Sequence, residues 1–378
     1  MDIERLCPRA DYIFFDPDTI YMNWALLSAG LSNSTASQRY ALDRASGPRL
    51  FTEFSRIADS TRALAGSLFG YGTDRVFLCG NATTALFSLL DLFKTQYPLG
   101  TVITTDRQYA TILLAVGSEF DNVFHCEPRT DAFIQALDVA QGPSMLVIEG
   151  QEYRSGGRYD INGILQKARE KRQAGTDMFV TLDLSQWPCP DWQYSDFTSI
   201  FVSAPKWSGG ASGSSYGLVA PELDIKPTRN GWGSLEGNWV YPVHSNFKSS
   251  AARLDALGGG KPWLPLYHLE EGLSHIARLG MHNIESHVVG LAHYARQELV
   301  AAGLDVIPVE HESGNVAISF PSPEKAREFL LELVNLGVVL SDGVSRLRIS
   351  PMPCNCGAEM TTVIDAIKTV HAKFDYGF

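Results

Sequence analysis

Short β-type runs alternate with helical stretches along most of the chain, and this alternation limits the possible folds more than any other feature. Strands separated by helices of about 10–15 residues are typical of βαβ units, which build a mostly parallel sheet covered by helices. The predicted strands of this region are residues 75–79, 101–104, 122–125, 145–148, 178–182 and 199–202. The sequence therefore predicts an α/β fold around a mostly parallel sheet.

A second, smaller α/β pattern closes the chain. It consists of a strand at 315–320, a helix at 324–336, a strand at 346–350 and a helix at 359–374. The first 50 residues look irregular, residues 183–255 are rich in loops, and helices dominate from 264 to 302. We therefore place a large domain at 21–262 and a small domain at 263–378, and we expect residues 1–20 to dock on the small domain.

Composition narrows the classes of function. The 378 residues include 31 basic and 42 acidic side chains, a net charge of −11, without a run of Lys and Arg. This balance argues against nucleic acid or an anionic membrane as a partner. No apolar run reaches the roughly 18–20 residues that span a bilayer, and the acidic start is unlike a signal peptide. We expect a soluble, cytoplasmic enzyme.

Six cysteines in a chain of 378 residues are too few for a disulfide scaffold, which also favours an intracellular protein. Cys354 and Cys356 are too close in sequence for the usual zinc-binding pair, and the nine histidines show no convincing ligand spacing. The sequence therefore predicts no metal site.

Three short polar segments follow predicted strands, at the sheet edge where open α/β sheets bind ligands. Gly80-Asn81-Ala82-Thr83-Thr84 opens a helix whose free N–H groups suit a phosphate, although an ordinary helix cap is the commoner explanation of such a segment by itself. Asp183 begins D-L-S-Q, and a carboxylate there suits a cationic ring nitrogen, although caps and loop acids are commoner. Lys206 stands in S-A-P-K-W-S-G-G and is a candidate amine nucleophile, although most lysines are simply solvated. In chain order these are the parts of a pyridoxal phosphate site.

These motifs resemble those of the class V aminotransferase superfamily, on the fold-type I scaffold shared with cysteine desulfurases, isopenicillin N epimerase and kynureninase. N-A-T at 81–83 and D-L-S-Q at 183–186 are similar to the family's phosphate turn and D-x-x-Q strand end. S-A-P-K-W at 203–207 is similar to S-x-H-K, and R-I-S-P-M-P-C-N at 348–355 to R-x-S…Y-N. The resemblance covers nearly the whole chain. It implies a seven-stranded-type sheet in a large domain, a small C-terminal α/β domain and a homodimer.

The resemblance also implies a role for each matching residue. Lys206 would bind pyridoxal phosphate as a Schiff base and shuttle the Cα proton, and Asp183 would keep the pyridine nitrogen protonated. Gln186 would lie beside the phenolic oxygen of the ring. The residues that would hold the phosphate end are Asn81, Ala82, Thr83 and Ser203.

Four further residues take roles from the same resemblance. Tyr109 stands where the family often places a His stacked on the ring, and Tyr153 where it often has an Asn near the phenolic oxygen. Arg348 would grip the substrate carboxylate, since Arg offers a two-pronged ion pair that Lys does not; a surface or structural arginine is the alternative. Asn23, in M-N-W-A-L-L-S-A-G, matches the family's N-terminal loop and would contact the small-molecule amino-acid substrate.

Departures from the family pattern bear on the reaction. Pro205 replaces the His that usually precedes the lysine, and the segment before Arg348 lacks the cysteine-bearing loop of desulfurases. We therefore expect an enzyme acting on an α-amino acid or a cysteine-type conjugate, with β-elimination, a C–S lyase-like outcome, favoured. Transamination, epimerisation, and decarboxylation with oxidative deamination use the same parts and stay open. A non-catalytic protein that binds the cofactor for regulation is the alternative from another class.

Overall fold

The computed structural model describes residues 3–14, 16, 18–236 and 246–373. The strands of this part of the chain are β1 (Ile20–Tyr21), β2 (Val76–Cys79), β3 (Thr101–Thr105), β4 (Val123–Cys126), β5 (Ser144–Glu149), β6 (Met178–Asp183), β7 (Ser199–Ser203), β8 (Ser215–Val219), β9 (Val316–Ser319), β10 (Val338–Val339), β11 (Ser341–Gly343) and β12 (Arg346–Ile349). The α-helices are α1 (Ala36–Arg44), α2 (Leu50–Phe69), α3 (Ala82–Gln96), α4 (Ala110–Glu119), α5 (Thr130–Val139), α6 (Ile161–Gln173), α7 (Trp263–Leu279), α8 (Met281–Ala301), α9 (Pro323–Asn335) and α10 (Gly357–Lys373). None of these helices is both long and apolar enough to cross a membrane.

The chain forms two compact units. The larger unit comprises Thr35–Gly150 and Asp160–Ala277, and the smaller unit comprises Met1–Ser34, Gln151–Tyr159 and Arg278–Phe378. These bounds differ from the predicted 21–262 and 263–378. Backbone pairing explains the difference, because β1 pairs with β10 and the N–H of Arg158 donates to the carbonyl of His311, both within the smaller unit.

A seven-stranded sheet forms the centre of the larger unit, in the order β2-β8-β7-β6-β5-β3-β4. The strands from β7 to β4 pair in parallel, and β8 runs antiparallel to β2 and β7. Apolar side chains of the strands and of α3 and α4 share one core: Phe77, Leu86, Leu89, Leu90, Phe93, Val102, Ile112, Ala115, Met145, Val147 and Phe201. The predicted α/β fold with a mostly parallel seven-stranded sheet is confirmed.

Two elements of the larger unit differ from the sequence prediction. Residues 183–255, predicted to be rich in loops, contain β8 as well as β7. A Cβ on Gly217 of β8 would lie 2.2 Å from Cζ of Phe77, so glycine at 217 leaves the room that the Phe77 ring occupies. An interior glycine weakens the sequence pattern of a strand. Helix α1 lies in the stretch predicted to be irregular, and among its residues only Ala36 is buried, so it shows no apolar stripe.

The smaller unit contains a three-stranded antiparallel sheet, in the order β11-β12-β9. Side chains alternate along a strand, and the inward-facing residues of β9 and β12 pack on α8, α9 and α10. This core includes Leu291, Ala295, Leu299, Val316, Ile318, Phe329, Leu333, Leu347, Ile349, Val363, Ile364 and Ile367. The chain start joins the same unit, because Leu6 N–H donates to the carbonyl of Pro353 and Gly357 N–H donates to that of Ile3.

Candidate active site

The first candidate group lies where β2 passes into α3. The side chain of Asn81 caps the helix, since its Oδ1 accepts from the N–H of Thr84 at 2.8 Å. The N–H groups of Ala82 and Thr83 have no acceptor among the described residues, and neither does the Thr83 hydroxyl group. Open donors at the positive end of a 15-residue helix suit a phosphate group. Asn81 thus caps the helix, and phosphate binding by Asn81, Ala82 and Thr83 stays a prediction.

Lys206 lies in the tight loop between β7 and β8, and several contacts fix this loop. The N–H of Gly209, at φ +69°, donates to the carbonyl of Lys206 at 3.0 Å. The Trp207 ring, which is 1% exposed, donates from Nε1 to the carbonyl of Leu184 at 2.6 Å. On α7, a Cβ at Gly272 would lie 2.3 Å from the carbonyl oxygen of Ser208, so the helix and the loop meet backbone to backbone. These contacts hold the backbone of the loop that carries Lys206 in place.

Asp183 ends the neighbouring strand β6 and is 8% exposed. Burial raises the pKa of its carboxyl group, while hydrogen bonding from Ser185 and the charge of Lys206 lower it, with a net upward shift. The N–H of Ser185 donates to Oδ1 of Asp183 at 2.7 Å. A buried carboxylate whose pKa is raised gains stability from a cationic partner, such as a protonated ring nitrogen.

Tyr109 precedes α4 and lies beside Lys206. The lysine Nζ is 5.7 Å from the centre of the Tyr109 ring, and this ring is 47% exposed. The N–H of Tyr109 donates to Oε1 of Glu149 at 2.8 Å. Glu149 is buried, and on β5 it is in register with Asp183. The sequence analysis did not foresee that Glu149 would position Tyr109. The position of this acid at the end of an apolar strand could have indicated it.

Two other predicted residues of the larger unit lie at the same strand ends. Ser203 ends β7, its N–H donates to Oγ of Ser185 at 3.0 Å, and its own hydroxyl group has no partner in the described chain. Gln186 is half-buried, three residues after Asp183. The larger unit thus places Asp183 and Ser203 at the ends of the adjacent strands β6 and β7, and Lys206 in the loop that follows β7, while their roles stay predictions.

In the smaller unit, Arg348 and Asn23 lie on adjacent backbone segments. Arg348 belongs to β12 and is buried, and its Nη1 donates to the carbonyl of Tyr153 at 2.8 Å. Asn23 bridges to Ser350, two residues beyond Arg348. The Oδ1 atom of Asn23 is buried without a partner among the described residues. Substrate contact stays a prediction for both residues.

The side chain of Tyr153 contacts two arginines. Its hydroxyl oxygen accepts from Nε of Arg154 at 3.1 Å, and its ring centre is 5.2 Å from the guanidinium carbon of Arg346. The sequence prediction that Tyr153 lies near the phenolic oxygen of the cofactor therefore stays a prediction. The structure shows this ring in cation–π contact with the guanidinium groups of Arg346 and Arg154.

Gln151 was not singled out from the sequence. It follows β5 by two residues, is 1% exposed, and neither Nε2 nor Oε1 of its carboxamide has a partner in the described residues. Leaving a buried polar group unpaired costs about 1–3 kcal/mol, so a polar ligand would stabilise it. A glutamine just after a strand end, as in E-G-Q, is only a weak indication of a ligand-binding residue in the sequence. Its burial in the structure is what makes it a candidate.

The sequence matches no protein-family model and no curated protein sequence. Its structure is similar to that of a cysteine desulfurase from Thermococcus onnurineus NA1, with a TM-score of 0.79 and 13% identity over 94% of this chain and 96% of that chain. The chain has the fold-type I architecture. It is also similar to the cysteine desulfurase CsdA from Escherichia coli, with a TM-score of 0.78 and 16% identity over 97% and 98% of the two chains.

A third similar structure is that of the cystine C–S lyase C-DES, with a TM-score of 0.75 and 14% identity over 93% of this chain and 98% of that chain. A solved variant of C-DES contains glycine covalently linked to its pyridoxal phosphate cofactor. The predicted fold class is therefore confirmed across nearly the whole chain.

Proposed function

We propose that the protein is a pyridoxal-phosphate-dependent enzyme that acts on an α-amino acid or a cysteine-type conjugate by β-elimination. The observation that carries this proposal is the group that Lys206, Asp183 and the open first turn of α3 form in the larger unit. An amine, a buried carboxylate and an anion site are the three parts that such a cofactor requires. The shared fold of C-DES, a C–S lyase that carries this cofactor, supports the assignment.

The residues present fit the cofactor. Its phosphate would be held by the N–H groups of Ala82 and Thr83 and by the hydroxyl groups of Thr83 and Ser203, all without partners in the described chain. Asp183 would bind the ring nitrogen, and Tyr109 would face the ring. The carboxamide of Gln186 would lie beside the phenolic oxygen.

Chain residues then have separable tasks. When bound, pyridoxal phosphate supplies an electron sink for negative charge that develops at the substrate Cα. Lys206 would hold the cofactor through its Nζ, and as a free amine the same Nζ would remove the Cα proton of the substrate as a general base. Asp183 keeps a proton on the ring nitrogen. Arg348 holds the substrate carboxylate with a fork of two N–H donors, which fixes the direction of the Cα–H bond.

Elimination is favoured over sulfur transfer to an enzyme thiol by the arrangement of the cysteines. β11 and β12 form a hairpin joined by Val344 and Ser345 alone, and residues 338–348 contain no cysteine. Cys354, the first cysteine after Arg348, is fully buried, and burial raises the pKa of its thiol to about 12. Because the thiolate is the nucleophilic form, this thiol is a poor acceptor for sulfur.

We also propose that the protein is a symmetric homodimer, since two-fold dimers are the commonest oligomers. Large apolar side chains that are exposed in the single chain of the larger unit, Leu42, Phe51 and Leu114, are candidates for the interface. Light scattering on an active preparation should give twice the chain mass of 41.5 kDa. A monomer mass would contradict this assembly.

The decisive experiment follows the cofactor and then the products. The purified protein should be yellow, and borohydride should fix the cofactor mass on the peptide that contains Lys206. Incubation with S-substituted cysteines should release a thiol, pyruvate and ammonia. A colourless protein that takes up no added cofactor would rule out the proposal. Transfer of the amino group to a 2-oxo acid without thiol release would replace elimination by transamination.

A further inference from the structure

Three polar residues form a row across the end of the small sheet in the smaller unit. On one side, Ser350 forms a parallel bridge with Asn23. On the other side, β12 and β9 pair in antiparallel register, with Ile349 opposite Val316. The next step of this register places Ser350 opposite Asn315, and directly paired residues share one face of a sheet. We call Asn23, Ser350 and Asn315 the polar row.

The polar row lies on the sheet face that points away from the core. The residues next to Ser350 and Asn315 in sequence, Ile349 and Val316, belong to the core of the smaller unit. Side chains alternate along a strand, so Ser350 and Asn315 face the opposite side, together with Arg348. The row itself contains no charged group. Its two carboxamides and one hydroxyl group offer neutral hydrogen-bond donors and acceptors.

Both asparagines of the polar row are buried, and each has an unpaired polar atom. Asn23 is 8% exposed and Asn315 is 4% exposed. Oδ1 of Asn23 and Nδ2 of Asn315 have no hydrogen-bond partner in the described part of the chain. The Ser350 hydroxyl group accepts from the N–H of Ala25 at 2.9 Å, and it donates to no group of the described residues. An unpaired buried polar group costs free energy, so a polar ligand at this row would lower the cost.

Gly156 and Glu152 belong to a segment that covers this face and bonds largely to itself. Gly156 lies directly over Asn315, since a Cβ there would be 2.7 Å from the Cβ of Asn315. The carbonyl of Gly156 accepts from the Ser313 hydroxyl group, and its N–H donates to the carbonyl of Glu152 at 2.9 Å. Oε2 of Glu152 accepts from the N–H of Ser155 at 2.6 Å. The segment therefore buries Nδ2 of Asn315 without giving it an acceptor.

We propose that Asn315, with Asn23 and Ser350, binds an uncharged polar group at the end of the substrate side chain. This inference rests on the proposed function, in which Arg348 holds the α-carboxylate. Arg348 and Ser350 are two residues apart on one face, about 7 Å, which suits a side chain of three or so atoms before the polar group. An amide matches the carboxamides donor for acceptor, whereas a second carboxylate would be buried at a row that holds no cation. The substrate class is therefore an α-amino acid, or an S-conjugate of cysteine, whose side chain ends in an amide.

Binding of analogues without a leaving group tests the polar row separately from elimination. The probes are L-2-aminoadipate 6-amide, its apolar match L-2-amino-6-methylheptanoate, and the acid L-2-aminoadipate. Calorimetric titration of the cofactor-loaded protein should give a Kd for the amide that is roughly tenfold or more below that for either other probe, because a few hydrogen bonds to buried partners add about one decade. Asn315→Leu should bring the amide and its apolar match to within about threefold of each other.

A stability measurement and a matched control separate binding from a role in the fold. Asn315→Leu replaces an unpaired polar group by an apolar group of similar volume, so the midpoint of denaturant unfolding of the cofactor-free protein should stay or rise. Asn335→Leu, at an exposed position at the end of α9, should leave the Kd ratios unchanged. If Asn315→Leu lowers the midpoint, the Kd ratio of Asn315→Ala decides. Equal binding of the amide and its apolar match in the wild type, tighter binding of the acid, no binding of any probe, or a ratio that survives the deciding Asn315 variant would overturn the inference.

Turnover separates this inference from the proposed function. If the amide binds preferentially and S-carbamoylmethylcysteine is not cleaved, binding at the polar row stands and β-elimination fails. If S-carbamoylmethylcysteine and S-isobutylcysteine are cleaved with equal kcat/KM and their analogues bind equally, elimination stands and binding at the polar row fails.

Discussion

The two units hold their candidate residues in different ways. In the larger unit, Lys206 and Asp183 stand at the ends of parallel strands, and hydrogen bonds from Trp207 and Ser185 fix the loops that carry them. In the smaller unit, Arg346 and Arg348 project from one face of an antiparallel strand over small neighbours. The backbone of the strand ends and loops thus positions Lys206 and Asp183, while small neighbouring side chains leave room for Arg346 and Arg348. We expect mutations in the first group to change chemistry and mutations in the second to change selectivity.

The largest expected effect is that of Lys206→Ala. Loss of the covalent cofactor link and of the general base should lower kcat by about 10⁴-fold, the upper range for acid–base catalysis. Steady-state kinetics and the absorption spectrum measure the two losses. Lys226→Ala, at an exposed ion pair with Asp224 in the same unit, is the control and should behave as wild type. Turnover near wild type in Lys206→Ala would remove this residue from the chemistry.

Arg348→Ala should have the largest effect in the smaller unit. Removing one partner of a buried charge pair costs roughly 3–5 kcal/mol, or about two to four decades in kcat/KM. Arg348→Lys should lose much of the activity as well, because the two-pronged geometry is lost. The cofactor spectrum should hardly change in either variant. If the cofactor is lost instead, Arg348 serves the cofactor site or the fold, and the division of tasks between the units fails.

Asp183→Ala should leave some cofactor bound and lower kcat by about 10²–10³-fold, as removal of an aligned electrostatic partner does elsewhere. The reason is that an unprotonated ring nitrogen draws charge away from Cα poorly. Single-turnover kinetics on the loaded variant measure the effect on proton removal. Turnover equal to wild type would show that another group protonates the ring.

Trp207→Phe tests whether the hydrogen bond between Trp207 and the Leu184 carbonyl is needed for stability and activity. The variant keeps the aromatic packing and leaves the Leu184 carbonyl without its donor, a loss of about 1–3 kcal/mol in the free energy of unfolding. Because Leu184 follows Asp183 and Trp207 follows Lys206, we also expect kcat to fall by about tenfold or less. Denaturant unfolding and kinetics give the two values. A loss of stability with full activity would mean that the loop tolerates displacement.

The smallest effect concerns pH. Burial raises the pKa of Asp183 in the folded state, so between the unfolded and folded pKa values the folded protein binds more protons, and its stability falls as pH rises. In cofactor-free protein, Asp183→Asn should therefore raise Tm at pH 7, with the gain shrinking towards pH 4. Thermal unfolding at both pH values, with exposed Asp224→Asn as control, checks the sign. A lower Tm at pH 7 would mean that Lys206 outweighs burial.

Local sequence predicts part of this structure and long-range pairing decides the rest. The strands β3, β5, β6 and β7 were foreseen because their apolar runs are short and bounded by turn residues. β8 was missed because Gly217, which the Phe77 ring requires, breaks its pattern. Asp183 was found because it ends an apolar strand, and Lys206 because it lies three residues beyond the end of another. Gln151 escaped because its burial depends on residues far away in sequence.

The contact between Arg346 and the ring of Tyr153 was not foreseen from the sequence, for a related reason. Arg154 directly follows Tyr153, but Arg346 lies 346 − 153 = 193 positions after it, so no local pattern connects Arg346 to this ring. Their meeting depends on the register of β12 against β9 and β11 and on the grouping of residues 151–159 with the smaller unit. The spacing of residues along the chain does not predict that residues 151–159 join the smaller unit.

The turn between β11 and β12 bears on how relatives of this fold diversify. Val344 is 78% exposed, and two residues suffice to close the hairpin directly before Arg346. Lengthening a surface turn adds little entropic cost, since doubling a loop costs only about 0.6 kcal/mol. New side chains, a reactive thiol among them, can therefore be introduced next to the arginine face while the sheet stays as it is. The length of this turn can therefore change while the pairing of β11, β12 and β9 is kept.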